Sequence, residues 1–222
     1  IDLLPSSLSL KRITIDFEKA LWSAIGQLLP DVDIRGCAFH MTQALWRKVQ
    51  ELGLQSAYCN DPGTHRFLRK MMALPYLPDQ EIEPMFHRLE RQAPTPTLQE
   101  FSQYVKSTWI ESRIWPTSSW SVFMQSVRTN NDLEGWHRGL NSRASGKSGL
   151  PFYLLVKFLY REARLTSLQM RLVSERKLKR IQRRQFRNLQ TKIFNLWEEF
   201  RNGERSAKQL LSAISYLIAP SQ

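Results

Sequence analysis

The chain has 222 residues, 42% hydrophobic and 23% charged, so it is globular, with enough apolar residues for a real core in one or two domains. Its net charge is +12, and residues 151–222 carry 15 Lys+Arg against 5 Asp+Glu, or +10 of that excess, which points to a polyanionic partner. Two cysteines, Cys37 and Cys59, give no disulfide framework and fit a reduced setting; no stretch of these residues reads as a signal peptide or as an apolar run long enough to span a membrane.

The chain starts at Ile1 without a Met and reads as a fragment or processed piece. Ile1–Ser9 is a Pro- and Ser-containing lead-in. Lys11–Asp16 is β-branched and ends in an acid, which predicts a buried strand with Asp16 at its C-terminal end. Phe17, Ala20, Leu21, Ala24, Ile25 and Leu28 then hold helical period until Pro30. Val32–Phe39 reads as a second strand ending at His40. Strand, helix, strand in this order is a right-handed parallel crossover, and ligands of such sheets sit beyond the C-terminal strand ends. Asp16 and His40 are expected there.

A helix over Met41–Leu52 follows, with Gly53 able to end it. Beyond Asp61 and Pro62 the strand signals vanish. His65–Ala73, Asp79–Gln92 and Leu98–Ile110 read as three helices between Pro-rich breaks. An aromatic linker, Trp115–Phe123, leads into Arg128–Asn141. That stretch predicts a helix, with Thr129, Asn130 and Asn131 as N-cap candidates and Asp132 in the first turn. Leu133, Trp136 and Leu140 form an apolar stripe at helical spacing, and Glu134, His137 and Asn141 form its polar neighbour. Packing the first stripe against the sheet would aim the second at the strand ends. Ala144–Gly149 reads as a flexible loop, and Pro151 opens a long helix that runs, with or without a break, to about Phe200. Asn202-Gly203 stops it, and Ala207–Leu217 is a last amphipathic helix.

Three clusters carry the functional reading. Cys37 and His40, joined by Cys59 and His65, offer zinc ligands, but the Cys-x5-His spacing is wider than structural zinc uses. The favoured reading makes Cys37 a small buried strand residue and His40 a group on the rim of a site, with a satisfied core histidine as its rival. Arg176–Arg187 holds seven positive charges: Arg176, Lys177, Lys179, Arg180, Arg183, Arg184 and Arg187. It reads as a contact for the DNA backbone rather than a solvated face or a nuclear-localisation run. The seven tryptophans read mostly as core, although Trp115 and Trp120, in a linker, could stack on a flipped base.

Taken together, Thr14-Ile15-Asp16-Phe17-Glu18-Lys19-Ala20, then Gly36-Cys37-Ala38-Phe39-His40-Met41-Thr42-Gln43-Ala44-Leu45-Trp46-Arg47, then Thr129-Asn130-Asn131-Asp132-Leu133-Glu134-Gly135-Trp136-His137 resemble the core of Mutator-like element transposases over most of residues 10–165. The resemblance implies a DDE-type enzyme on a ribonuclease H-like fold that cuts and joins DNA. Asp16 would be the second catalytic Asp and Glu134 the catalytic Glu, both metal ligands, with Cys37 and His40 as the family's Cys-x-x-His. Mg²⁺ (or Mn²⁺) would be the cofactor, because hard divalent ions take carboxylate oxygens. Double-stranded DNA, as transposon ends and target, would be the partner, with self-association open, no membrane and a nuclear location.

The family's first Asp has no counterpart here, since Asp2 lies in the lead-in. The expected fold is therefore helix-rich α/β: a partial ribonuclease H-like core over 10–60 keeping two parallel strands, an all-helical insertion over 61–127, a closing catalytic helix and packing helix over 128–165, and a basic helical tail over 166–222. The Asp16 strand is expected at an exposed edge, leaving the chain alone marginally folded and inactive. One rival is a catalytically inactive, domesticated or decayed copy that binds DNA or a protein; another is a purely helical RNA-binding scaffold without the strand pair.

Overall fold

The computed structural model describes residues 10–129, 131–144, 150–174 and 184–218, and their side chains apart from those of 131–134 and 166–187. Within that range Ile1–Asn130 and Leu189–Gln222 contribute to one compact unit and Asn131–Asn188 to a second.

The first unit starts with β1 (Arg12–Ile15), α1 (Lys19–Leu28), β2 (Asp33–Gly36) and α2 (Ala38–Glu51). The two strands pair in parallel, Arg12 opposite Asp33 through Ile15 opposite Gly36, and are the only strands of the sheet among the described residues. Parallel neighbours need a crossover, and α1 supplies it. Asp33 fixes the register at its open end. Arg12 Nε lies 2.7 Å from one carboxylate oxygen and Arg35 Nε 2.9 Å from the other. Burial pushes the Asp33 carboxyl upward, but the two arginine hydrogen bonds outweigh it and hold it below its ordinary value.

β2 is shorter than its composition suggests. Val32–Phe39 reads as strand, yet pairing stops at Gly36, and Ala38, Phe39 and His40 are already helical. Two contacts account for this. The Phe17 ring lies across Gly36 and leaves no room for a Cβ there. The Ala38 N–H donates to the Arg128 carbonyl at 3.0 Å, which takes it out of the ladder and starts α2. Cys37 is thus the residue before the helix rather than a strand residue. At its other end α2 closes as the sequence predicts. Gly53 has φ +67, its N–H bonds Gln50, and the Leu54 N–H reaches the Val49 carbonyl, a left-handed cap that a Cβ would strain.

Helices then follow with few gaps: α3 (Gln55–Asn60), α4 (Pro62–Ala73), a 3₁₀ turn at Leu74–Tyr76, α5 (Asp79–Glu90), α6 (Pro96–Val105), a π turn at Lys106–Ile110 and α7 (Thr117–Trp120). Local chemistry sets their starts. The Asp61 carboxylate accepts from the Thr64 N–H at 2.7 Å, with Pro62 as the first helical residue, and Thr95 caps α6 by accepting from the Leu98 N–H.

The second unit holds α8 (Asn131–Arg143) and α9 (Phe152–Ser174). Arg143 grips Glu162 in two parallel bonds of 2.8 and 2.6 Å, so the 8% exposed Glu162 is buried against a fixed cation. Of the Leu133–Trp136–Leu140 stripe, Leu133 lies outside the described side chains, and Trp136 keeps 42% of its surface exposed. Phe152, Tyr153 and Tyr160 on α9 are also exposed.

The long helix expected after Pro151 is seen as two described helices, α9 and then α10 (Arg184–Arg201), with α11 (Ala207–Leu217) last. From Leu189 onward the chain belongs to the first unit and its core. Ile193, Trp197, Leu210, Leu211 and Ile214 are fully or almost fully buried with Met41, Leu45, Leu68, Met71, Phe86 and Phe101. Two anchors bind this return to the rest: Trp197 Nε1 donates to the Tyr76 carbonyl at 2.8 Å, and Arg69 Nε donates to the Ser215 carbonyl at 2.6 Å. Ser206 with Gln209 forms a reciprocal cap on α11 itself. What reads as one basic tail therefore contains a core-forming helical pair.

Candidate functional site

Asp16, Cys37 and His40 meet where the two parallel strands end. Asp16 follows β1 directly. Its carbonyl accepts the Trp22 indole N–H at 2.7 Å, so the first helix holds the residue at the strand tip. Cys37 follows β2, and its N–H donates to the Ile15 carbonyl at 2.9 Å, which holds it beside the end of β1. Neighbouring strand ends lie about 4.8 Å apart, so two such residues necessarily face each other. His40 stands in the first turn of α2, and its Nδ1 is 2.7 Å from an Asp16 carboxylate oxygen. Each of the three offers one ligand atom, and all these atoms lie within 4.8 Å of one another. The group could hold a metal ion.

Exposure grades across the cluster. Cys37 is fully buried, while the His40 and Asp16 side chains are 23% and 50% exposed. His40 thus stands beside Asp16 at the strand ends, part exposed. The four-residue zinc set does not assemble. Cys59 is exposed, and His65 is engaged elsewhere, with Nδ1 2.8 Å from the Tyr58 carbonyl and Nε2 3.2 Å from Arg69.

Aromatic rings brace the Asp16 side. Phe17 meets Trp109 edge-on at 4.7 Å and Trp115 at 5.6 Å, and stacks on Trp22 at 6.1 Å. Trp115 is thus occupied in this support, and Trp120 is buried with its indole N–H on the Trp115 carbonyl. Trp120 is buried and offers no face for a base.

Arg128 is a residue that pattern reading does not single out. Its carbonyl holds the first N–H of α2, and its guanidinium lies 5.8 Å from the ring centroids of both Tyr76 and Trp197. Its NH1 is buried with no hydrogen-bond partner among the described residues. Burial works against its charge and Tyr76 favours it. Its carbonyl thus ties residue 128 to the turn that follows Cys37. No sequence signal marks it, because its partners lie 52 or more positions away in the chain.

Glu134 lies on α8, in the second unit, and its side chain is outside the described residues. The same holds for the basic stretch. Arg176, Lys177, Lys179, Arg180 and Arg183 fall outside the described residues altogether, and Arg184 and Arg187 are described as helical backbone only. Among the described residues no helix is long and apolar enough to cross a membrane. No family model, curated protein or solved structure matches the chain.

Proposed function

We propose that the chain is part of a DDE-type DNA transposase of the Mutator-like kind, with a ribonuclease H-like core. It would act on double-stranded DNA in the nucleus by phosphodiester hydrolysis and strand transfer. The observation that carries this reading is the meeting of an acid and a Cys-x-x-His at the adjacent C-terminal ends of two parallel strands joined by a helix. In open parallel sheets that edge is where ligands bind. Asp16 is exposed enough to reach a phosphodiester, and the Asp16–His40 contact would orient the imidazole toward the same group. The purely helical scaffold has no use for a strand pair, and the pair is present.

The resemblance implies Mg²⁺ or Mn²⁺. Taken alone, the described donors do not suit Mg²⁺, which takes oxygen ligands: the only ligand atoms grouped with the Asp16 carboxylate are a sulfur and a nitrogen. The further oxygens that this reading needs are those of Glu134 and of an Asp outside this sequence.

The test is nicking of supercoiled plasmid by the chain joined to the upstream segment that the proposal requires. Metal-dependent nicking is expected, and Asp16→Asn and Glu134→Gln should each abolish it. Nicking that survives either change would remove the assignment.

A further inference from the structure

The donor set at the strand ends points to a different ion. We infer that Asp16, Cys37 and His40 form a three-ligand site for a borderline transition metal of the zinc and cobalt(II) class, with its fourth position open to solvent. The inference does not rest on the nuclease reading, since it needs only these three side chains.

The first argument is chemical. Thiolate and imidazole favour Zn²⁺, Co²⁺ and their neighbours, whereas Mg²⁺ and Ca²⁺ prefer oxygen throughout. A carboxylate completes a mixed set that a borderline ion accepts. The second is geometric. Zinc binds sulfur at about 2.3 Å and nitrogen or oxygen at about 2.0–2.2 Å, so ligands sharing a tetrahedral ion lie roughly 3.3–3.8 Å apart. The three ligand atoms lie within 4.8 Å of one another, and the closest recorded pair, His40 Nδ1 and Asp16 Oδ1, is at 2.7 Å. Closure on an ion therefore asks for side-chain shifts of about 1 Å or less, within reach of χ rotation and without movement of the strands.

The third argument is the mounting. Cys37 is held by its N–H bond to Ile15, Asp16 by the indole bond from Trp22, and His40 by the first turn of α2. All three are thus fixed to regular structure at the backbone. The exposure gradient then gives the ion a way in. The sulfur lies at the buried end, the imidazole in between and the carboxylate at the mouth. Among the described residues no fourth His, Cys, Asp or Glu joins the group. Three protein ligands with one open position is the pattern of a reactive metal site, which admits water or a phosphate oxygen, rather than that of a closed structural site. Binding releases the thiol proton to solvent.

The test is titration of the reduced chain with Co²⁺, read by absorbance. One equivalent should produce a thiolate-to-cobalt charge-transfer band in the near ultraviolet and visible bands of tetrahedral intensity. Zn²⁺ should displace the cobalt stoichiometrically, and excess Mg²⁺ should not. Cys37→Ser should lose the near-ultraviolet band, while Cys59→Ser keeps it. Because Cys37 is buried, a folding defect in Cys37→Ser is covered by His40→Ala and Asp16→Asn, which should weaken Co²⁺ binding by more than about tenfold, the least that losing a direct ligand costs when outer-shell losses already cost that much. The inference is overturned if the folded chain gives no such band, if the band follows Cys59, if Mg²⁺ displaces cobalt as readily as Zn²⁺, or if neither His40→Ala nor Asp16→Asn weakens binding. If the chain gives the band, and the same chain joined to its upstream segment never nicks DNA, this site stands and the nuclease reading is lost.

Discussion

Trp197→Ala should cost about 3–5 kcal/mol, as removal of a buried tryptophan does, and so consume a large part of the total stability of a domain of this size. Trp197 is fully buried among Phe194 at 5.0 Å, Phe123 at 5.6 Å and the Arg128 guanidinium at 5.8 Å. Its indole N–H also satisfies the Tyr76 carbonyl. Truncation leaves a cavity, an unpaired carbonyl and a buried arginine without one of its two ring partners. Trp136→Ala is the matched comparison. That side chain is 42% exposed, so the same change should cost little, within about 1 kcal/mol. Urea denaturation of both variants, followed by near-ultraviolet circular dichroism, makes the comparison. Equal shifts in midpoint would mean that α10 does not close the core of the first unit.

DNA affinity should depend steeply on salt and hardly on sequence. On duplex DNA the log–log slope is about −0.9 for each phosphate neutralised. Converting Arg180, Arg183, Arg184 and Arg187 to Gln should therefore flatten the slope by up to about 3.6, or 0.9 for each arginine lost. Affinity at low salt should fall most. Fluorescence anisotropy with a labelled duplex across a salt series measures it, and a random duplex should give nearly the same slope. An unchanged slope would show that Arg176–Arg187 does not touch the backbone and that the +10 charge of residues 151–222 serves another purpose.

Much of the architecture is legible in the residues because it rests on local chemistry. The acid at the end of a β-branched run, the helical period after Phe17, the stops at Gly53 and Asn202-Gly203, and the Ala207–Leu217 helix all follow from propensity and turn preference, and the structure has each of them. What the sequence hides is tertiary. Val32–Phe39 has strand composition to its end, but Phe17 packed on Gly36 and the Arg128 carbonyl on Ala38 turn its last residues into a helix. The Phe17 side of the site is braced by Trp109 and Trp115, residues about 90 to 100 positions away that period alone reads as generic core. Likewise, the charge of 166–222 masks the apolar face formed by Ile193, Trp197, Leu210 and Ile214, since a positive run and a core stripe can share one helix. Of the candidate site, Asp16, Cys37 and His40 were within reach because each ends or follows a strand. The thiol's place beside the carboxylate depends on strand register, which no spacing rule supplies.

The measurement that bears most directly on the central claim is iron-directed cleavage of the chain itself. Fe²⁺ replaces other divalent ions at sites with oxygen, nitrogen or sulfur ligands, and with ascorbate and peroxide it cuts the backbone nearest to it. If Asp16 and Glu134 serve one metal centre, cuts should fall near residue 16, near 37–40 and near 134, and should fade together in Asp16→Asn. Cuts confined to the neighbourhood of 16 and 37–40, with the 134 region intact, would contradict a shared catalytic centre and leave a metal site without a transposase.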